Sequence, residues 1–281
     1  MVTKTMPATS RFAILILLFF PASSLTGQVV FSRRVYKERG PSYQQIWIWN
    51  PSSGVLKALT HSPRNHFFPA CTGGKITFVS SQEEWDDNSK LWIFDPASGE
   101  EREIGPPPMP PGHEPSPKNG CSIFAKAGSL EACSKDEDLS VSRAGKVIGH
   151  FDMRTNECPI DDRGTIAKCD TPILSLEWSP DAKWLLVGGV IDLHEADYSV
   201  VEAATMKRTK VAIASQHDIL WLPGRDELLY TTPEDLAPVP GARRERNVRV
   251  QHLVLFDPAT GKSTAITSGI SDNFDASLCS P

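Results

Sequence analysis

Ile46-Trp47-Ile48-Trp49-Asn50-Pro51-Ser52-Ser53-Gly54 is spelled twice more in the chain, as Leu91-Trp92-Ile93-Phe94-Asp95-Pro96-Ala97-Ser98-Gly99 and as Leu253-Val254-Leu255-Phe256-Asp257-Pro258-Ala259-Thr260-Gly261. Each copy has four apolar residues, Asn or Asp, Pro, a small residue, Ser or Thr, and Gly. Pro presets the backbone of a turn's first central position. The Asn/Asp and Ser/Thr side chains bond nearby amides, and Gly accepts a positive φ. The segment is therefore a β-hairpin. Four apolar residues without alternation mean a strand covered on both faces, so sheets must pack against sheets.

A second unit recurs ahead of the first. Ile173 to Trp178 runs through Ser179-Pro180-Asp181-Ala182-Lys183 into Trp184 to Val187. Ile219-Leu220-Trp221 runs through Leu222-Pro223-Gly224-Arg225 into Leu228-Leu229-Tyr230, and Phe68 to Cys71 through Thr72-Gly73-Gly74-Lys75 into Ile76 to Val79. Strand, tight turn, strand, hairpin, strand makes about four strands per unit. Trp178 and Trp221 lie 43 residues apart, and Ile46 and Leu91 lie 45 apart. Four-stranded units at roughly 40–45 residues are the arithmetic of a β-propeller.

These motifs, with Phe274 to Pro281 and the closing Leu59-Thr60 and Ile266-Thr267, resemble the WD40-like repeats of TolB-type periplasmic propellers. The resemblance implies an exported scaffold that binds protein partners, with a role in envelope maintenance. It speaks to fold more than to function, because such repeats serve many purposes. The chain departs from the pattern between 105 and 170, where a Pro-rich stretch and four cysteines interrupt it.

Cys71 and Cys279, taken as equivalent positions, are 208 residues apart. Four intervals over that distance predict five blades, with insertions near 105–120, 152–170 and 233–247; five intervals would make six blades. Val29-Val30-Phe31-Ser32 resembles the strand Ile76 to Ser80, and Phe274 to Pro281 resembles the start of a blade. Pairing the two ends in one blade would remove free sheet edges.

Residues 1–27 read as a secretory signal and 28–281 as the propeller domain. Lys4 and Arg11 precede nine apolar residues, Phe12 to Phe20, and small residues follow Pro21. Nine residues reach less than half of the ~20 needed to span a membrane, so no integral segment is expected in the mature chain. A periplasmic or extracellular location follows. All six cysteines lie beyond the signal, which predicts disulfides among fifteen pairings. Cys158–Cys169, closing a short polar loop, and Cys121–Cys133, on neighbouring strands, are the pairs favoured by spacing. No two cysteines sit as a chelating pair, so no metal and no cofactor is expected.

The chain has 281 residues, 40% of them hydrophobic, and a formal net charge of −5, which excludes disorder and argues against a nucleic-acid partner. It carries no Gly-x-Ser-x-Gly elbow, His-Glu-x-x-His helix, phosphate loop or calcium loop. The acidic run 83–88 around Trp85 reads as a cation or sugar contact or as a solvated loop. Arg243-Arg244-Glu245-Arg246 with Arg249 reads as a contact for an acidic partner or again as a solvated loop. The links between units carry Asn65-His66, Asp170, Gln216-His217 and Asp272-Asn273. In a propeller, equivalent links gather at one mouth of the channel, so these residues are the candidate binding site; polar residues also belong in any surface link. The expectation is a monomeric, non-catalytic, protein-binding propeller. The alternatives are a secreted carbohydrate-active lyase or hydrolase, and the accessory propeller of a peptidase-like protein.

Overall fold

A computed structural model describes residues 27–82, 89–107, 120–135, 137–152, 172–191, 195–215, 219–241 and 246–279. Residues 1–26 of the expected signal segment 1–27, the acidic run 83–88, Cys158, Cys169, Asp170, Gln216 and His217 lie outside the described residues. Every element among the described residues is a strand.

The first sheet holds β1 (Val29–Val35), β2 (Gln44–Trp49) and β3 (Leu56–Ala58). The second is β4 (Asn65–Thr72), β5 (Lys75–Ser81), β6 (Lys90–Asp95) and β7 (Glu100–Gly105). The third is β8 (Ile123–Ala127), β9 (Leu130–Lys135), β10 (Asp138–Arg143) and β11 (Lys146–Asp152). The fourth is β12 (Ile173–Trp178), β13 (Trp184–Val190), β14 (Glu195–Glu202) and β15 (Arg208–Ser215). The fifth begins with β16 (Ile219–Trp221) and β17 (Leu228–Thr231). A separate hairpin, β18 (Asp235–Pro238) and β19 (Asn247–Val250), interrupts it before β20 (Leu253–Asp257) and β21 (Lys262–Ala265) complete it. The last strand, β22 (Ser271–Leu278), returns to the first sheet as its leading strand, antiparallel to β1, with Val29 opposite Leu278 and Arg34 opposite Asp272. The described residues thus form five four-stranded antiparallel sheets, the units of a propeller, and the insertion at 233–247 holds most of a hairpin.

The turns form as their spelling requires. Asn50 Oδ1 accepts the Ser52 amide at 2.9 Å, Asp95 Oδ1 the Ala97 amide at 2.9 Å, and Asp257 Oδ1 the Ala259 amide at 2.9 Å. The closing Gly of each turn sits at positive φ, +70°, +73° and +69° for Gly54, Gly99 and Gly261. The closing Thr residues have the same job in two sheets. Ile46 N donates to Thr60 Oγ1, and Leu253 N donates to Thr267 Oγ1, both at 2.9 Å. Each hydroxyl is buried and satisfies a strand amide that the ladder leaves open.

Apolar faces pack sheet on sheet. Val30, Ile46 and Ile48 of the first sheet meet Ile76, Phe78 and Phe94 of the second. Val29, Phe31 and Trp49 meet Leu222, Leu229 and Leu253 of the fifth. The fourth and fifth share a core around Tyr198, Trp221 and Phe256, and the third and fourth one around Leu139, Val141 and Leu185. Leading strands touch in the pairs β22–β4, β16–β22 and β8–β12. No core cluster joins the second sheet to the third among the described residues.

Cys121–Cys133 is bridged across a separation of 12 residues, as spacing favoured. A second bridge, Cys71–Cys279, joins the leading strands of the second and first sheets with Cα atoms 4.9 Å apart. The sequence reading treated those two cysteines as equivalent positions and did not pair them. The structure makes them near-equivalent: the bulges beside Phe68 and Asp275 match Cys71 with Leu278, and Cys279 lies one residue further along, still within reach.

Candidate functional site

The starts of β22 and β4, the end of β1 and the start of β2 lie at one end of the molecule, because β1 is antiparallel to both of its neighbours and Asn65 reaches Gln44 and Arg34. Asn65, His66, Asp272 and Asn273 are therefore brought to one mouth. They are buried there.

Asn65 ties two sheets together. Its Oδ1 accepts the Gln44 amide of the first sheet at 3.0 Å and the Arg34 guanidinium at 3.2 Å, while its Nδ2 donates to the Gln82 carbonyl at 3.3 Å. Asp272 lies across the ladder from Arg34 and accepts Arg249 Nε at 2.9 Å. Burial pushes the Asp272 carboxyl up, against the pull of the Arg249 and Arg34 cations and with a further push from Glu234. Arg249 also meets Glu234 at 3.7 Å and lies over the Phe274 ring at 5.3 Å. Arg249, read in sequence as a contact for an acidic partner or as part of a solvated loop, finds its carboxylates within the chain.

His66 and Asn273 serve packing. The His66 ring stands edge-on to Phe78 at 4.8 Å, and its Nε2 lies 2.8 Å from Ser62 Oγ. Burial, then the nearby Arg64 charge, lowers its pKa to about 4, so the ring is neutral at neutral pH. Asn273 Nδ2 donates to the Gln251 carbonyl and to Ser271 Oγ. Among the described residues, both amide atoms of the buried Gln44 side chain, and one carboxylate oxygen of Asp272, have no hydrogen-bond partner.

The sequence reading missed Arg33, Arg34, Gln44 and Trp47. The available signal was Arg33-Arg34 ending a strand whose first residues are wholly apolar. Arg33 stacks on Trp47, 4.6 Å from the ring centroid. The hairpin β18–β19 leans on Tyr36 and Ile270 beside this mouth, with Leu236, opposite Arg249, 62% exposed. Among the described residues no group of three or more His, Cys, Asp or Glu could hold a metal ion, and no helix is long and apolar enough to cross a membrane.

No family model matches the chain, and no curated protein matches it. Solved structures do. TolB from Acinetobacter baumannii aligns over 92% of this chain and 68% of its own, at 12% identity and a TM-score of 0.47. The chain is similar to TolB. The β-propeller domain of the Trilobed protease from Pyrococcus furiosus aligns over 74% of this chain and 58% of its own, at 13% identity and a TM-score of 0.32. A chain of the mitotic checkpoint complex aligns over 80% of this one and 85% of its own, at 14% identity and a TM-score of 0.26. The five sheets and their packing stand independently of these likenesses.

Proposed function

We propose that the chain is an exported, non-catalytic five-bladed propeller that recognises a protein partner at the mouth formed by the starts of its leading strands. In this reading the ring closes, and β22 with β1 fastens it. One observation carries the recognition role: buried polar groups fix the mouth's backbone while Val35 and Leu236 are exposed and Arg33 half-exposed around it. That combination of a rigid frame with amphipathic display suits an interface better than a reaction. Two disulfides favour a compartment outside the cytoplasm.

The test is site-specific photo-cross-linking in the native host. A cross-linker at Val35 or Leu236 should trap one discrete protein, and the same group at Ser53, in the turn at the far end, should not. Equal trapping from both ends, or none from the mouth, would overturn the reading.

A further inference from the structure

Beside the mouth, on the face of the first sheet that turns toward the fifth, lies a cavity of about 210 Å³. Its wall is built from alternate residues of two strands, so the side chains share one face. Arg33 and Lys37 bring two cations, Trp47 and Tyr43 two rings, and Val35, 43% exposed, an apolar rim. No carboxylate lines it.

The wall is fixed from behind. Gln45 Nε2 donates to the carbonyls of Ser62 and Arg64 at 3.0 and 3.1 Å, and its Oε1 accepts the Thr60 hydroxyl. Arg33 lies over Trp47, yet its Nε is buried with no hydrogen-bond partner among the described residues. No carboxylate among the described residues pairs with it. Burial pushes the guanidinium below its ordinary value, and the titratable neighbour that senses its charge is His252, itself lowered first by burial and then by Arg33. A half-desolvated guanidinium without a counter-ion is costly unless an anion completes it. Elsewhere the chain supplies such anions: Arg249 has Asp272 and Glu234, and Lys183 has Asp181 and Asp226.

We propose that this cavity binds a carboxylate carried on a single apolar or aromatic group, with Arg33 and Lys37 taking the charge and Trp47, Tyr43 and Val35 the apolar part. A guanidinium presents paired donors that match a carboxylate. The cavity is smaller than the roughly 300–1,000 Å³ of sites for larger ligands, which limits the guest to about one residue's bulk. The source is a free organic acid or the C-terminal residue of a polypeptide. Neither requires the mouth to engage a folded partner, so this proposal and cross-linking from Leu236, which does not line the cavity, stand or fall separately.

The test titrates the mature protein with 3-phenylpropionate and its amide, and with an N-acetylated Ala-Ala-Phe peptide bearing a free or amidated C-terminus. Calorimetry gives affinity, and the Trp47 indole resonance, assigned with Trp47→Phe, gives location. At least one acid should bind about tenfold or more tighter than its amide, and Arg33→Gln should cost a similar factor. Lys37→Gln, at an exposed position, should weaken binding several-fold with an unchanged melting temperature, which separates ligand loss from misfolding. A tighter peptide acid assigns the polypeptide source, and an equal or tighter small acid assigns the free one. Acid and amide binding alike, no binding of either acid, or full affinity in both variants would overturn the proposal.

Discussion

The Cys71–Cys279 bridge should stabilise this protein more than the Cys121–Cys133 bridge, and the difference follows from where each lies in the chain. The first closes a loop of 208 residues, the second one of 12. A cross-link restricts the unfolded chain by an entropy that grows with the logarithm of loop length, about 3 kcal/mol for 15 residues and about 4.7 for 100. Doubling the longer loop adds about 0.6 kcal/mol. The long bridge therefore contributes about 5 kcal/mol and the short one just under 3 kcal/mol. Double replacements by Ala, C71A/C279A and C121A/C133A, avoid burying a hydroxyl at Cys279, which is fully enclosed. Urea unfolding of both variants beside the mature oxidised protein should show the first losing about 2 kcal/mol more than the second. Mass spectrometry of the unreduced digest should return a peptide joining Cys71 to Cys279. A long-bridge variant as stable as the parent, or more stable than the short-bridge variant, would refute the reasoning.

Two further outcomes are expected. The folded His66 imidazole is held to about 4 against an ordinary 6.5, so the unfolded chain takes up a proton that the folded chain refuses between those values. Stability should be complete above pH 6.5 and fall toward pH 4, by about 3 kcal/mol at most, and His66→Phe should flatten that part of the profile in urea melts. At Gly188 an added Cβ would lie 2.6 Å from both Ser175 Oγ and the Tyr198 ring, so Gly188→Ala should cost about 1–3 kcal/mol in the same assay, and a neutral result would mean that Tyr198 is free to move.

Much of the fold is legible because its punctuation is local. Asn50, Asp95 and Asp257 bond amides two residues on, and Thr60 and Thr267 satisfy an amide fourteen residues back, so each motif carries its own geometry. The insertion at 233–247 was legible as an insertion but not as a hairpin. Pro238 argues against a strand in sequence, yet in a two-stranded sheet it can sit where its missing N–H leaves no gap in the ladder. The mouth was legible only as a place. Asn65 and Asn273 look alike whether they face solvent or a neighbouring sheet's backbone, and burial, which depends on distant strands, decides between the two. Arg33 and Trp47 meet across two strands, and neither residue announces the other.

What binds the first sheet to the second is divergence laid on the repeat. Phe68 in β4 and Asp275 in β22 both lie in the left-handed region, at φ +50° and +56°, each beside a bulge in its leading strand. The backbone kink is shared, but the chemistry is not. Asp275 Oδ2 accepts the Phe68 amide at 3.1 Å and the Ser32 hydroxyl at 3.3 Å, so the kink in one strand becomes a clasp on the next. One residue earlier in each strand, Phe67 and Phe274 stack with centroids 6.3 Å apart. Further along, Cys71 and Cys279 make the bond covalent. A repeated strand gives equivalent positions the same reach toward the channel, and substituting a complementary pair at those positions turns repetition into attachment. The junction that carries β22 is thereby tied by hydrogen bonds, ring stacking and a disulfide together, and its covalent tie closes the longer of the two described disulfide loops.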